Sequence, residues 1–151
     1  MTRGDSSFIA LRHRNFRLLW VGQLLSVTGS MMQMATLLWH VALLVPPDRK
    51  GLALGRVGLV RVLPIIALAT VGGVFADARD RRRVMLATQC VMAVLAAVLA
   101  YLTLSDRITL GLVYLFAGLG AGAAAFDGPA RQSLFPNLVP REHLPNAISL
   151  N

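Results

Sequence analysis

Little in this chain can carry charge, and little of what can is acidic. Only 15% of its 151 residues are charged, and 7 Asp and Glu stand against 15 Lys and Arg, a formal net charge of +8. A soluble domain carries roughly a quarter charged residues. With 56% hydrophobic residues and a mean hydropathy of +0.63, the deficit excludes an ordinary soluble globule. A single cysteine, Cys90, excludes an intramolecular disulfide and any all-thiolate metal site. It lies in an apolar run, where free cysteine behaves as a small hydrophobe. The three histidines, His13, His40 and His143, are too scattered to suggest a metal-ligand set. The arginines form no basic surface interleaved with aromatics, so nucleic acid is not an expected partner. Enzyme signatures are missing too: there is no Ser/His/Asp constellation, no His-x-x-Glu-His motif and no pair of intramembrane carboxylates. No secretory signal peptide is visible, because the first apolar run exceeds the usual h-region of about 7–15 residues.

What the chain has in quantity is long apolar runs. Spans of roughly twenty apolar residues cross a bilayer as helices, and four are expected, over residues of about 18–45, 57–76, 84–104 and 108–126. The reading is an all-α integral membrane protein of four transmembrane helices and the start of a fifth. Residues 1–17 form a basic leading segment, 127–145 a polar connection, and 146–151 the opening of the fifth span. An apolar segment beginning in the last residues leads to the expectation that the chain is an N-terminal piece of something longer. The first span is about 42 Å long if helical, so it must tilt, kink or protrude. Pro46-Pro47 ends it, and Pro64 is expected to kink the second span, leaving the Val60 carbonyl without its helical partner. Ser105-Asp106-Arg107 reads as a tight turn. Gly128-Pro129 is expected to break or bend the end of span 4.

Charge gives the orientation. Arg3, Arg12, Arg14, Arg17, Arg79, Arg81, Arg82, Arg83, Arg131 and Arg141 fall on one side of this arrangement. Arg49, Lys50, Arg56 and Arg107 fall on the other, with Arg61 inside span 2. Because Lys and Arg are retained in the cytoplasm, the N-terminus is expected there, in a multi-pass protein of the plasma (inner) membrane with the lipid bilayer as its first partner.

Polar residues within the spans are few and patterned. In span 1, Gly22, Gln23, Ser26, Gly29, Ser30, Gln33, Thr36 and His40 share an arc of about 140° at 100° per residue, with Thr28 outside it. Such a stripe faces protein or water, because unsatisfied amides in hydrocarbon are costly. Interhelical hydrogen bonding and the wall of a cavity explain the pattern equally well. Arg61, about one turn into span 2, either snorkels to the outer surface or faces a watery cavity, and its shallow depth favours snorkelling. His40 reads first as a packed or interfacial residue and second as a proton relay. Gly118-Leu-Gly120-Ala-Gly122-Ala-Ala-Ala125 is a stripe of small residues that lets another helix approach.

The connection between spans 2 and 3, Gly73-x-x-x-Asp77-x-x-x-Arg81-Arg82, resembles the signature loop of the major facilitator superfamily. Ala78 stands where arginine is usual and Asp80 where glycine is usual. With Phe126-Asp-Gly-Pro-Ala-Arg-Gln132 and the later Leu-Val-Pro-Arg-Glu-His-Leu-Pro-Asn-Ala-Ile, the chain looks like the branch of enterobactin-exporter-like and macrolide-efflux-like transporters. The resemblance implies the N-terminal portion of a major-facilitator fold, with the missing remainder (spans 5–12) as a partner. It implies a secondary active transporter that exports a small amphipathic molecule, drug or siderophore-like, by alternating access. It also implies a cytoplasmic gate from Gly73, Asp77, Asp80, Arg81, Arg82, Asp127 and Arg131, in which Arg81 pairs with Asp77 or with Asp127. A substrate cavity of Gln23, Ser26, Ser30, Gln33, His40 and Arg61 follows, with Gln33 foremost. No cofactor is implied and proton coupling stays open, since Phe116 occupies the place where the family often has a coupling arginine. The competing reading is a non-transporting four-span interaction subunit or assembly factor.

Overall fold

The computed structural model describes residues 9–78, 81–132 and 139–150, with side chains throughout except at 69–78, 81, 132, 141 and 144. Among the described residues there is no strand. Four long helices, α1 (Arg14–Leu44), α2 (Lys50–Ala78), α3 (Arg81–Leu104) and α4 (Leu110–Gln132), are followed by a short α5 (Leu144–Ser149). All four long helices are apolar and long enough to cross a membrane. Their outward faces carry exposed Leu25, Leu59, Leu63, Val94 and Tyr101, a surface suited to lipid, not water. The protein is a multi-pass, all-α membrane protein.

The ends of the helices follow from local chemistry. Val45 and Pro46 each precede a proline and are extended (ψ 136° and 152°), which stops α1 at Leu44. The chain then re-enters a helix at Lys50, seven residues ahead of the apolar run that begins at Val57. At the end of α3, the Arg107 N–H donates to the Leu102 carbonyl at 2.9 Å and the Asp106 N–H to the Thr103 carbonyl at 3.2 Å. This is the Schellman arrangement, with Asp106 (φ 55°) in the left-handed position that glycine usually fills. Of the expected break or bend, the break does not occur: α4 runs on through Gly128-Pro129 to Gln132. Pro129 cannot bond the Ala125 carbonyl, but Asp127 and Arg131 form an i,i+4 ion pair across that turn, and Arg131 in the last turn also complements the helix dipole.

The packing registers are regular. Ser26–Gln89 and His40–Thr103, which tie α1 to α3, are both 63 residues apart. Gly118–Val60 and Gly122–Pro64, which bring α4 onto α2, are both 58 apart. A constant offset means parallel helices, so α1 and α3 run one way along the bundle and α2 and α4 run together. The small-residue stripe of α4 does the close packing. A Cβ on Gly118 would lie 3.1 Å from Val60 Cγ1 and 3.5 Å from the Val60 carbonyl oxygen, the very carbonyl that Pro64 leaves without a helical partner. One on Gly122 would lie 3.5 Å from Leu68 Cδ1.

Two apolar clusters anchor the fold. At the end of the α1–α2 and α3–α4 turns (the turn end), Leu37, Val41, Val45, Ala53, Val57, Leu99, Val113, Phe116 and Ala117 are buried together. At the opposite end, which carries the arginine loop (the loop end), Ala10 and Phe16 pack on Val139 and Ala147. There the Trp20 indole N–H donates to the Leu150 carbonyl at 3.0 Å and the Ala10 N–H to Asn146 Oδ1 at 3.2 Å, joining the leading segment to α5.

Candidate functional site

Most of the polar stripe of α1 faces the interior, and the structure divides it into two sets. Ser30 and Gln33 line a small recess of about 80 Å³ with Arg61, Phe116 and Gly120. Ser30 also borders, with Ser26, a larger, open cavity of about 670 Å³ lined by Met31, Met34 and Leu38 of α1, Arg61 of α2, Met92 of α3, and Ala124, Asp127 and Arg131 of α4. Gln23 lines a separate cavity of about 560 Å³ nearer the loop end, beside Asn15, Arg82, Gln89 and Arg131. His40 stands apart from all three. Its Nδ1 lies 2.8 Å from the Thr36 carbonyl oxygen and its Nε2 3.2 Å from the Thr103 hydroxyl, and it is buried beside the turn-end core. It packs between α1 and α3 and lines none of these three cavities.

Arg61 faces inward. The snorkelling reading counted depth from the apolar run, whereas the helix starts at Lys50 and puts Arg61 eleven residues, about 16 Å, along its axis. Its side chain is half-buried, and Nη1 reaches the Met34 thioether sulfur at 2.6 Å. An arginine at such depth costs about 3 kcal/mol on insertion scales, so a solvated or ligand-filled cavity is its natural surrounding.

The loop-end floor of the large cavity is a hydrogen-bonded network across three helices. Asp127 Oδ2 accepts from Arg131 Nη2 at 2.6 Å and Nε at 3.2 Å, while Oδ1 accepts from the Thr88 hydroxyl and the Gln89 amide, each at 3.1 Å. The Gln89 amide in turn meets the Ser26 hydroxyl, Nε2 donating at 3.1 Å and Oε1 accepting at 3.2 Å. The side chains of Arg131 and Asp127 are only 10% and 14% exposed. A charge pair so buried survives because four donors converge on one carboxylate, and removing one partner would strand the other at a cost of roughly 3–5 kcal/mol. Thr88 and Gln89 were absent from the residues singled out in the sequence. The available signal was the adjacent polar pair in an otherwise apolar third span.

Of the signature loop, Gly73 and Asp77 lie in the last turns of α2, and Arg81 and Arg82 open α3. Asp80 and the side chains of Gly73, Asp77 and Arg81 lie outside the described residues. Arg82 borders the loop-end cavity. Asp127, offered as a partner for Arg81, is engaged by Arg131.

A comparison with protein families places residues 5–151 in the family described as transmembrane secretion effector, of the major facilitator superfamily. The chain belongs to that family. It is thus a member of a transporter family and not an enzyme. This major facilitator chain is similar to macrolide efflux protein A of Streptococcus pyogenes, 26% identical over 130 residues that cover 85% of the chain and 31% of the relative. It is also similar to the staphyloferrin A transporter of Staphylococcus aureus, 29% identical over 99 residues that cover 65% of the chain and 25% of the relative. The chain therefore spans about a third or less of the curated relatives it matches. No solved structure matches it.

Proposed function

We propose that this chain supplies the first four spans of a secondary transporter that exports a small amphipathic molecule. Its loop end would face the cytoplasm of a plasma-membrane protein. The observation that carries this reading is the open cavity of about 670 Å³ among four membrane helices, lined by Met31, Met34 and Met92 and floored by the Asp127 network. Apolar walls with a few placed polar groups are the composition of a small-molecule site. The relatives' names, one a macrolide efflux protein and one a staphyloferrin transporter, support export of amphipathic cargo. Alternating access rocks one half of such a protein against the other, so the working unit has further spans beyond these four. Asp77, Asp80, Arg81 and Arg82 would form the latch that holds the two halves together at the cytoplasmic face, with Gly73 at the entry to the loop.

The test uses the full-length protein in cells loaded with macrolides and amphipathic dyes. Expected is energy-dependent loss of at least one compound, abolished by an uncoupler. Asp77→Asn should slow that loss at least tenfold at an unchanged membrane level. Retention of every compound tried would remove the export reading, and normal efflux by Asp77→Asn would remove the latch.

A further inference from the structure

The large cavity holds two kinds of charge, and only one of them is balanced. Asp127 is answered by Arg131, Thr88 and Gln89. Among the described residues, Arg61 is answered only by the Met34 sulfur, a weak acceptor. The acidic residues among those described are too distant or otherwise engaged. Asp48 pairs with Arg49, Asp106 sits in the turn beyond α3 and Glu142 lies just ahead of α5. Asp77 follows Arg61 by sixteen residues on the same helix, about 24 Å along the axis, and Asp80 follows Asp77. No carboxylate pairs with Arg61 among the described residues.

Around the guanidinium the cavity is built to accommodate and not to specify. Met31, Met34 and Met92 present flexible thioethers, which reshape around varied apolar bodies. Ser30 is the polar group nearby on both the cavity and its recess, and Gln33 lines the recess. A fixed planar cation on an adaptable apolar wall selects for the sign of a head group and tolerates variety in the tail. The fork of a guanidinium matches a carboxylate or another oxyanion with two parallel hydrogen bonds.

We propose that Arg61 makes this cavity a site for anionic amphiphiles, holding a carboxylate-type head group while Met31, Met34 and Met92 cover the apolar body. The inference rests on the cavity being the cargo site and adds the cargo's charge. Cationic amphiphiles are disfavoured there because Asp127, the one carboxylate lining the cavity among the described residues, is already neutralised by Arg131.

The experiment uses the full-length protein in nanodiscs with 11-(dansylamino)undecanoic acid and its methyl ester, which differ in charge and share a tail. Binding is read by dansyl fluorescence after subtraction of empty discs. The acid should bind wild type at least tenfold more tightly than the ester. In Arg61→Gln the acid should lose that advantage while the ester binds as before, and Arg61→Lys should keep part of it. Equal binding of acid and ester by wild type would overturn the proposal, and this comparison needs no variant to fold. Equal loss of both probes in Arg61→Gln would also overturn it, pointing to Arg61 as a partner for a carboxylate elsewhere in the protein. In sealed proteoliposomes, Arg61-dependent binding without movement of the acid would sink the transport reading alone. Movement of the acid at equal rates by wild type and Arg61→Gln would sink the charge assignment alone.

Discussion

The two ends of this bundle are held by different physics, although the same four helices run through both. At the turn end Val41, Val57 and Val113 are fully buried among Leu37, Leu99 and Ala117, with His40 and Tyr114 making one bond each to a neighbouring helix, to Thr103 and to the Ala53 carbonyl. Towards the loop end α1 and α3 are bridged by Ser26–Gln89, and Asp127 gathers donors from α3 and α4 beside two sizeable cavities. Close packing gains little from any one contact and resists change as a whole. A charged network is directional, and its donors can exchange one acceptor for another. The export cycle proposed above would use both, the packed end as a hinge side and the re-pairable end, where Asp127 lies, as a gate side.

That contrast can be broken by substitution, with effects in descending order. Asp127→Ala strands Arg131 and removes the acceptor of Thr88 and Gln89, so it should destabilise the full-length protein by roughly 3–5 kcal/mol, read as lowered thermal stability in detergent. Gly118→Val forces a branched side chain against Val60 where a single Cβ already comes within 3.1 Å. A loss of about 1–3 kcal/mol is expected from overpacking, with Gly120→Val, which meets nothing within 4 Å, as the milder control. Gln89→Leu removes the bridge between Ser26 and Asp127 at about 1 kcal/mol, and cross-linking of a cysteine pair on α1 and α3 near that level should fall. The smallest effect has the opposite sign. Asp106→Gly relieves a left-handed residue and should raise stability by up to about 1 kcal/mol without altering efflux.

The legible and illegible parts of this protein divide along the same lines as the two physical regimes. Four membrane helices, the proline stop at Pro46-Pro47 and the close-packing stripe of Gly118 and Gly122 follow from composition and spacing, because each is a property of consecutive residues. The inward face of α1 is legible as a stripe, and within it His40, read first as a packed or interfacial residue, meets Thr103 of the facing helix. Arg61 was placed too near the surface because helix and apolar run do not start together: Gly51 to Arg56 are helical without being strongly apolar. α4 continues through Pro129 with the Asp127–Arg131 ion pair straddling the proline, a local contact that a reading of Gly-Pro as a helix breaker passes over. Thr88 and Gln89 meet Asp127 from thirty-nine and thirty-eight residues away in sequence, and an adjacent polar pair in an apolar span does not say which residue it contacts.

The most direct test of the division between gate side and hinge side is a paired efflux measurement on the full-length protein at matched membrane levels. Asp127→Asn keeps the shape of the side chain and removes its charge, whereas Val113→Ala opens a small void in the turn-end core. Expected is at least a tenfold loss of export for Asp127→Asn and less than a twofold change for Val113→Ala. Unimpaired export by Asp127→Asn, with Val113→Ala the more damaging of the two, would contradict that division.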